Sequence, residues 1–223
     1  MVRLYRVLLF DVNQTLLDLS PLRPAFDSLL GSADLMGEWF ARLLHGSLVA
    51  NHLGAYRPFG QIGFEALAAM AGARGIEVAD SAVREVVEVM LRLPPHPEVA
   101  DALDRLQGQG YRLAALTNNS STALHAQIES AGLGAFFDRL ISVEEVQRFK
   151  PAQEPYRHAV EVMGGNASEY LLVAAHDWDV RGAESAGIAG AFVQRPAVVW
   201  SLPGNPPDLV VSDLGELVDA LPG

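Results

Sequence analysis

From Arg6 the chain runs through Val7, Leu8, Leu9 and Phe10 without polar alternation. A strand buried on both faces reads this way. The run stops at a polar cluster, Asp11-Val12-Asn13-Gln14-Thr15, typical of a strand-end loop. Ser20 followed by Pro21 then predicts a helix cap with proline at the first helical position. Across 23–93 the apolar positions recur at helical spacing: Trp39, Leu43, Leu44 and Leu48, then Phe64, Leu67 and Met70, then Val83, Val86, Val87 and Met90. Pro94-Pro95-His96-Pro97 ends this helical stretch.

Beyond Pro97 the rhythm changes. Helices are predicted at 99–109, 121–131 and 155–163, around 181–186, and at 214–221. Strands are predicted at 111–116, 137–142, 170–175, 191–193 and 209–211. Alternation of this kind predicts a parallel sheet with helices on both faces. The first strand belongs to that set. The expected fold is therefore α/β, a Rossmann-like core of residues 1–16 and 96–223 with a helical cap inserted at 17–95. The proline-rich stretch 196–207 reads as a long surface loop.

Composition narrows the function. The 223 residues are half hydrophobic, enough for a sizeable core. There is no cysteine, which removes disulfides, thiolate catalysis and thiolate metal sites and makes a cytoplasmic location the expectation. No apolar run reaches the ~20 residues of a membrane span, and the N-terminal residues do not read as a signal peptide. Acidic residues outnumber basic ones, 27 to 16, for a formal net charge of -11. With no basic cluster, a nucleic-acid partner is not expected. A small-molecule substrate is.

In open parallel sheets ligands bind beyond the carboxyl ends of the strands. Four polar clusters fall there: Asp11 with Thr15, Thr117 with Asn118 and Asn119, Lys150, and His176-Asp177-Trp178-Asp179. A carboxylate can attack an electrophilic carbon or phosphorus. A lysine beside it keeps it ionised, hydroxyls and amides aim it, and a second carboxylate orients the lysine or activates water. Asp177 reads as a surface or cap residue. His45, His52, His96 and His158 lack metal-ligand grouping.

Phe10-Asp11-x-x-x-Thr15-Leu16, Leu116-Thr117-Asn118, Phe149-Lys150-Pro151 and Trp178-Asp179 with Gly182-Ala183, in that order, resemble the haloacid dehalogenase superfamily over essentially the whole chain. Its phosphatases carry a second aspartate two residues after the nucleophile and an Asp-x-x-x-Asp fourth motif that binds Mg²⁺. Asn13 and Ala175 stand at those positions here. The resemblance is closer to the metal-independent 2-haloacid dehalogenase branch. It implies that Asp11 displaces halide from C2 of a short (S)-2-haloacid, and that water, with help from Asp179, cleaves the aspartyl ester. Thr15, Thr117, Asn118, Lys150 and Tyr156 would position nucleophile and substrate carboxylate. Trp39 and Phe40 would line an apolar substrate pocket. No cofactor is implied, and a homodimer is.

The chain departs from that branch in three places. Phe40 follows Trp39 where an arginine receives the halide, and Arg42 lies about 200° further round a helix. Ala174 replaces a serine and His176 an asparagine. An aromatic edge, or Asn51, His52 or Tyr56, is left to receive the halide. His176 has two readings: a histidine hydrogen-bonded beside the sheet end, or a contact to the leaving group or the hydrolytic water. Two alternatives stand beside the dehalogenase: a Mg²⁺-dependent phosphatase, and a catalytically idle relative that binds a small acid or a partner protein.

Overall fold

The computed structural model describes residues 5–222. Strand β1 (Val7–Phe10) is followed by four helices: α1 (Arg23–Leu30), α2 (Leu35–Leu53), α3 (Phe59–Ala73) and α4 (Asp80–Val89). Then come α5 (Val99–Gly108), β2 (Arg112–Thr117), α6 (Ser121–Ser130), β3 (Arg139–Ser142), α7 (Gln153–Met163) and β4 (Tyr170–Ala174). The chain closes with α8 (Asp177–Ser185), β5 (Ala189–Val193), β6 (Leu209–Val211) and α9 (Leu214–Ala220).

The six strands form one parallel sheet in the order β3-β2-β1-β4-β5-β6. The chain reverses its direction of travel across the sheet between β1 and β4. A crevice opens at such a switch point, beyond the strand ends. Asp11 leaves one side of it and His176 the other.

Every residue of β1, β4 and β5 is buried. Alternate residues feed two cores: Val7 and Leu9 face one with Ala114, Leu116, Leu172 and Phe192, while Leu8 and Phe10 face the other with Leu113, Ala115, Leu171 and Val173. The second core continues without a break into the helical stretch through Phe26, Trp39, Leu43, Phe59, Leu67 and Met70. The four helices thus share their apolar interior with one face of the sheet.

Three local expectations change. Ser20–Leu22 is a single 3-10 turn, and α1 starts only at Arg23. Asp18, two residues earlier, does the capping: its Oδ1 accepts from Ser20 N at 2.8 Å, an Asx turn that competes with helix at Ser20. Helix α8 begins at Asp177 rather than near 181, so Asp179 lies in its first turn. Strand β5 gains Ala189 and Gly190, whose small size masked the strand pattern.

Candidate active site

Strand β1 delivers Asp11, whose backbone N–H donates to Val173 O at 3.0 Å. The chain then folds back tightly: the amides of Leu16 and Leu17 both reach Val12 O, at 2.9 and 3.0 Å. The turn requires Gln14 at φ 64, a left-handed conformation that costs a non-glycine residue about 1 kcal/mol or more. Two groups hold it. The His96 ring meets Gln14 O at 3.1 Å, and its backbone N–H donates to Leu16 O at 2.9 Å. Arg195, buried beyond β5, donates from Nη2 and Nε to Thr15 O at 2.7 and 3.2 Å and from Nη1 to Glu98 at 2.6 Å.

This turn brings Thr15 back beneath the carboxylate. Its Oγ1 accepts from Ala175 N at 2.9 Å, so its one proton goes to Asp11 Oδ2 at 2.7 Å. Lys150 approaches the other oxygen. Its Nζ donates to Asp11 Oδ1 at 2.9 Å, Asp179 Oδ2 at 2.6 Å and Leu116 O at 2.8 Å. An ammonium has three protons, and all are placed. The Lys150 side chain is 0% exposed.

The lysine loop is itself clamped. Asn118 Oδ1 accepts from Lys150 N at 2.8 Å. From α2, Asn51 takes Phe149 N at 2.9 Å and gives to Phe149 O at 2.8 Å. Behind the site, Tyr156 OH donates to Asp179 Oδ1 at 2.5 Å. Gly182 lets this happen: a Cβ there would collide with Tyr156 OH and lie 2.7 Å from Pro151 Cβ.

Burial opposes ionisation of Asp11, but the Lys150 charge, His176 and the two hydrogen bonds outweigh it and hold the carboxyl below its ordinary value. Burial dominates for Asp179, seconded by repulsion from Asp11, and its carboxyl is raised despite Lys150. For Lys150, burial is outweighed by the two carboxylates, and the ammonium is stabilised. Two carboxylates sharing one ammonium are thereby pushed apart, the one beside the crevice kept charged.

Asp11, Thr15, Lys150 and Asp179 come together; several other expected contacts differ. Tyr156 is fully buried behind Asp179 and its hydroxyl is engaged there, so it lies away from a substrate carboxylate. Asn118 holds the Lys150 backbone. Thr117 is 1% exposed and its Oγ1 accepts from Asn119 N at 3.2 Å, shaping the turn after β2. Trp39 is sunk in the helical core with Nε1 donating to Gly63 O at 2.8 Å; it borders a cavity of about 110 Å³ that Asp11 does not line. Phe40, its neighbour, stacks on His176 at 5.5 Å. Of the groups left to receive a halide, Asn51 has its Oδ1 and one Nδ2 proton committed to Phe149 and His52 is exposed. The Tyr56 hydroxyl is buried without a partner among the described residues, and desolvation, seconded by Glu144, pushes it up to about 12. Arg42 pairs with Glu38. Asp177 ties α8 to the proline-rich loop through Ser201.

Two structural groups escaped the sequence reading. Arg195 carried one usable signal, a cation just past a strand end. Gln127, within α6, carried none: its amide and that of Asn119 converge on Asn13 Oδ1 at 3.0 and 3.5 Å. The Asn13 side chain is thereby held in a buried amide network.

The residues present do not fit a divalent cation. A Mg²⁺ ion needs near-octahedral oxygen ligands at about 2.0–2.1 Å. Here an ammonium bridges the two carboxylates, and the His176 ring fills the notch between Asn13 O and Asp11 Oδ2, at 3.2 and 3.7 Å. Among the described residues no group of three or more His, Cys, Asp or Glu could hold a metal ion.

A six-stranded parallel sheet, an insertion of helices after β1 and a buried Asp–Lys–Asp set at the switch point define the class, and the chain belongs to the haloacid dehalogenase-like hydrolases, whose family model matches residues 5–187. It is 31% identical to (S)-2-haloacid dehalogenase H-109 of Pseudomonas putida over 216 residues, 96% of each chain. The structure of L-2-haloacid dehalogenase from Xanthobacter autotrophicus superposes with a TM-score of 0.90 at 27% identity, over 97% of this chain and 98% of that one. The same enzyme with chloropropionic acid covalently bound gives a TM-score of 0.88 at 27% identity, over 97% and 98%. Among the described residues no helix is long and apolar enough to cross a membrane.

Proposed function

We propose that the chain is a hydrolase of the (S)-2-haloacid dehalogenase type. A carboxylate oxygen of Asp11 attacks C2 of a short 2-haloacid, the C–O bond forms as the C–halogen bond breaks, and halide leaves with the electron pair. Water then attacks the carboxyl carbon of the aspartyl ester. This releases the 2-hydroxy acid and a proton and restores Asp11. Lys150 keeps Asp11 ionised and Thr15 fixes its rotation. Asp179 accepts the proton of water, with Tyr156 holding it in place. Helices α1–α4, within 17–95, act as a lid on a core of 1–16 and 96–223. The reaction needs no cofactor. A cysteine-free enzyme acting on a diffusible acid fits the cytoplasm, and the homodimer implied by the family resemblance belongs to the same reading.

One observation carries this reading: Asp11, depressed in pKa at the switch-point crevice, has both oxygens held by proton donors that leave it charged. The Asn13 amide network supports carbon–halogen over phosphate ester cleavage. A phosphate ester's alkoxide leaving group needs a proton, whereas a halide leaves without one.

A screen of 2-chloro-, 2-bromo- and 2-fluoro-acids with and without EDTA tests the proposal. Halide release that persists in EDTA and vanishes in Asp11→Asn is expected. Phosphate release from phosphoesters that requires Mg²⁺, with no halide release, would overturn it.

A further inference from the structure

Phe149 and Lys150 are both buried, so the backbone N–H and C=O of each must find a partner inside the protein. Both residues are met in the same way, by one asparagine side chain that faces the two backbone groups together. Asn118, just past β2, accepts from Lys150 N at 2.8 Å and turns its Nδ2 to Lys150 O at 3.4 Å. Asn51, in the last turn of α2, accepts from Phe149 N at 2.9 Å and donates to Phe149 O at 2.8 Å. Two successive residues are thus bracketed by two side-chain amides. One comes from a strand end of the sheet and the other from an inserted helix.

The attachment to α2 is reinforced around the bracket. Asn51 O accepts from Arg148 Nη1, and Arg148 Nε lies 3.5 Å from Glu154. The Phe149 ring packs against Tyr56, in the turn after α2, at 5.0 Å between centroids, and against Phe59, at the start of α3, at 5.8 Å. Lys150, the next residue, has little slack with which to absorb a shift of Phe149. Its Nζ is tied to Asp11, Asp179 and Leu116 O at 2.9, 2.6 and 2.8 Å. A displacement of the Phe149 backbone therefore reaches the Asp11 carboxylate through a single residue.

We propose that Asn51 is a positioning residue for catalysis: through Phe149 it sets the place of Lys150 against Asp11, so that the site is fully assembled only with α2 docked on the segment 148–150. This rests on the carbon–halogen reading above and adds a positioning group to it. Asn51 acts through the backbone and not on the reacting atoms. A side-chain amide suits the task because it offers a donor and an acceptor side by side, matching the N–H and C=O of one residue. A loosened Lys150 stabilises the Asp11 charge less, so the carboxyl moves back up toward its ordinary value. Thr15, His176 and Asp179 also face Asp11, and each is held by another group: Ala175 N, Asn13 O and Tyr156 OH. Loss of Asn51 therefore acts on Asp11 by way of Lys150.

The test follows kcat/KM for halide release from 2-chloropropionate against pH in wild type, Asn51→Ala, Arg148→Met and Val83→Ala. Val83 is fully buried in α4, and its truncation loosens the helical core itself. Asn51→Ala should lose roughly 10- to 100-fold in kcat/KM at neutral pH, the scale of a small misplacement of reacting groups. Its acid limb should also move up by about half a pH unit or more. Arg148→Met, which removes one donor from Asn51 O, should move the limb the same way by less. Val83→Ala should lower Tm and leave the limb where wild type has it. A limb unmoved in Asn51→Ala, or moved equally by Val83→Ala, would make Asn51 a structural residue only and overturn the proposal, with the dehalogenase reading intact. Should Asn51→Ala not fold, Arg148→Met decides, and an unmoved limb there would overturn the proposal. Absence of halide release by wild type at every pH would overturn both.

Discussion

The hydroxyl of Tyr156 lies 2.5 Å from Asp179 Oδ1, with both side chains fully buried. No solvent can replace this bond. Tyr156→Phe therefore leaves a buried carboxylate oxygen short of a donor, at a cost of about 1–3 kcal/mol. Urea unfolding should report that loss. Asp179 would also shift, so kcat for halide release should fall roughly tenfold or more while KM changes little. A variant as stable and as active as wild type would show that Asp179 does not depend on this bond.

Lys150→Met removes the one cation between two buried carboxylates. The remaining pair is left uncompensated, and loss of one partner from a buried ion pair costs about 3–5 kcal/mol. One carboxyl must then take up a proton at neutral pH. Activity should disappear. The variant should gain more stability than wild type as pH falls from 8 to about 5, measured as Tm.

The nucleophile's ionisation sets the acid limit of kcat/KM, which covers halide displacement but not the later hydrolysis of the ester. Asp11 sits below its ordinary value of 3.8, so it stays charged down through that pH. A group with a depressed folded pKa contributes stability above its unfolded value and loses it as pH falls through the folded one. Both kcat/KM and the Asp11 contribution to Tm should therefore hold down to about pH 4 and fall only below it. An acid limb in kcat/KM centred above pH 5 would contradict an ionised Asp11 held by Lys150.

Much of this molecule was legible in its sequence. The unalternated run before Asp11 announced a doubly buried strand, and the later alternation of helix and strand announced the parallel sheet. Polar residues at or soon after strand ends tend to gather at a switch point, and the order of Asp11, Lys150 and Asp179 along the chain allowed them to be grouped. Side-chain direction at the ends of elements was not legible. Tyr156 stands six residues beyond Lys150, and nothing in that spacing tells whether its hydroxyl faces a substrate or Asp179. Trp39 and Phe40 are adjacent, and only the docking angle of α2 decides which reaches His176. Gln127 reads as an ordinary helical residue until the fold carries it to Asn13.

The covalent role of Asp11 is tested most directly by a single turnover with excess enzyme in ¹⁸O-labelled water, followed by mass spectrometry of the peptide that contains residue 11. Water attacks the ester at the Asp11 carboxyl carbon, so the label should appear in that peptide and the first 2-hydroxy acid released should carry none. Label found only in the product, with Asp11 unlabelled, would mean that water attacks C2 directly and that Asp11 never forms an ester.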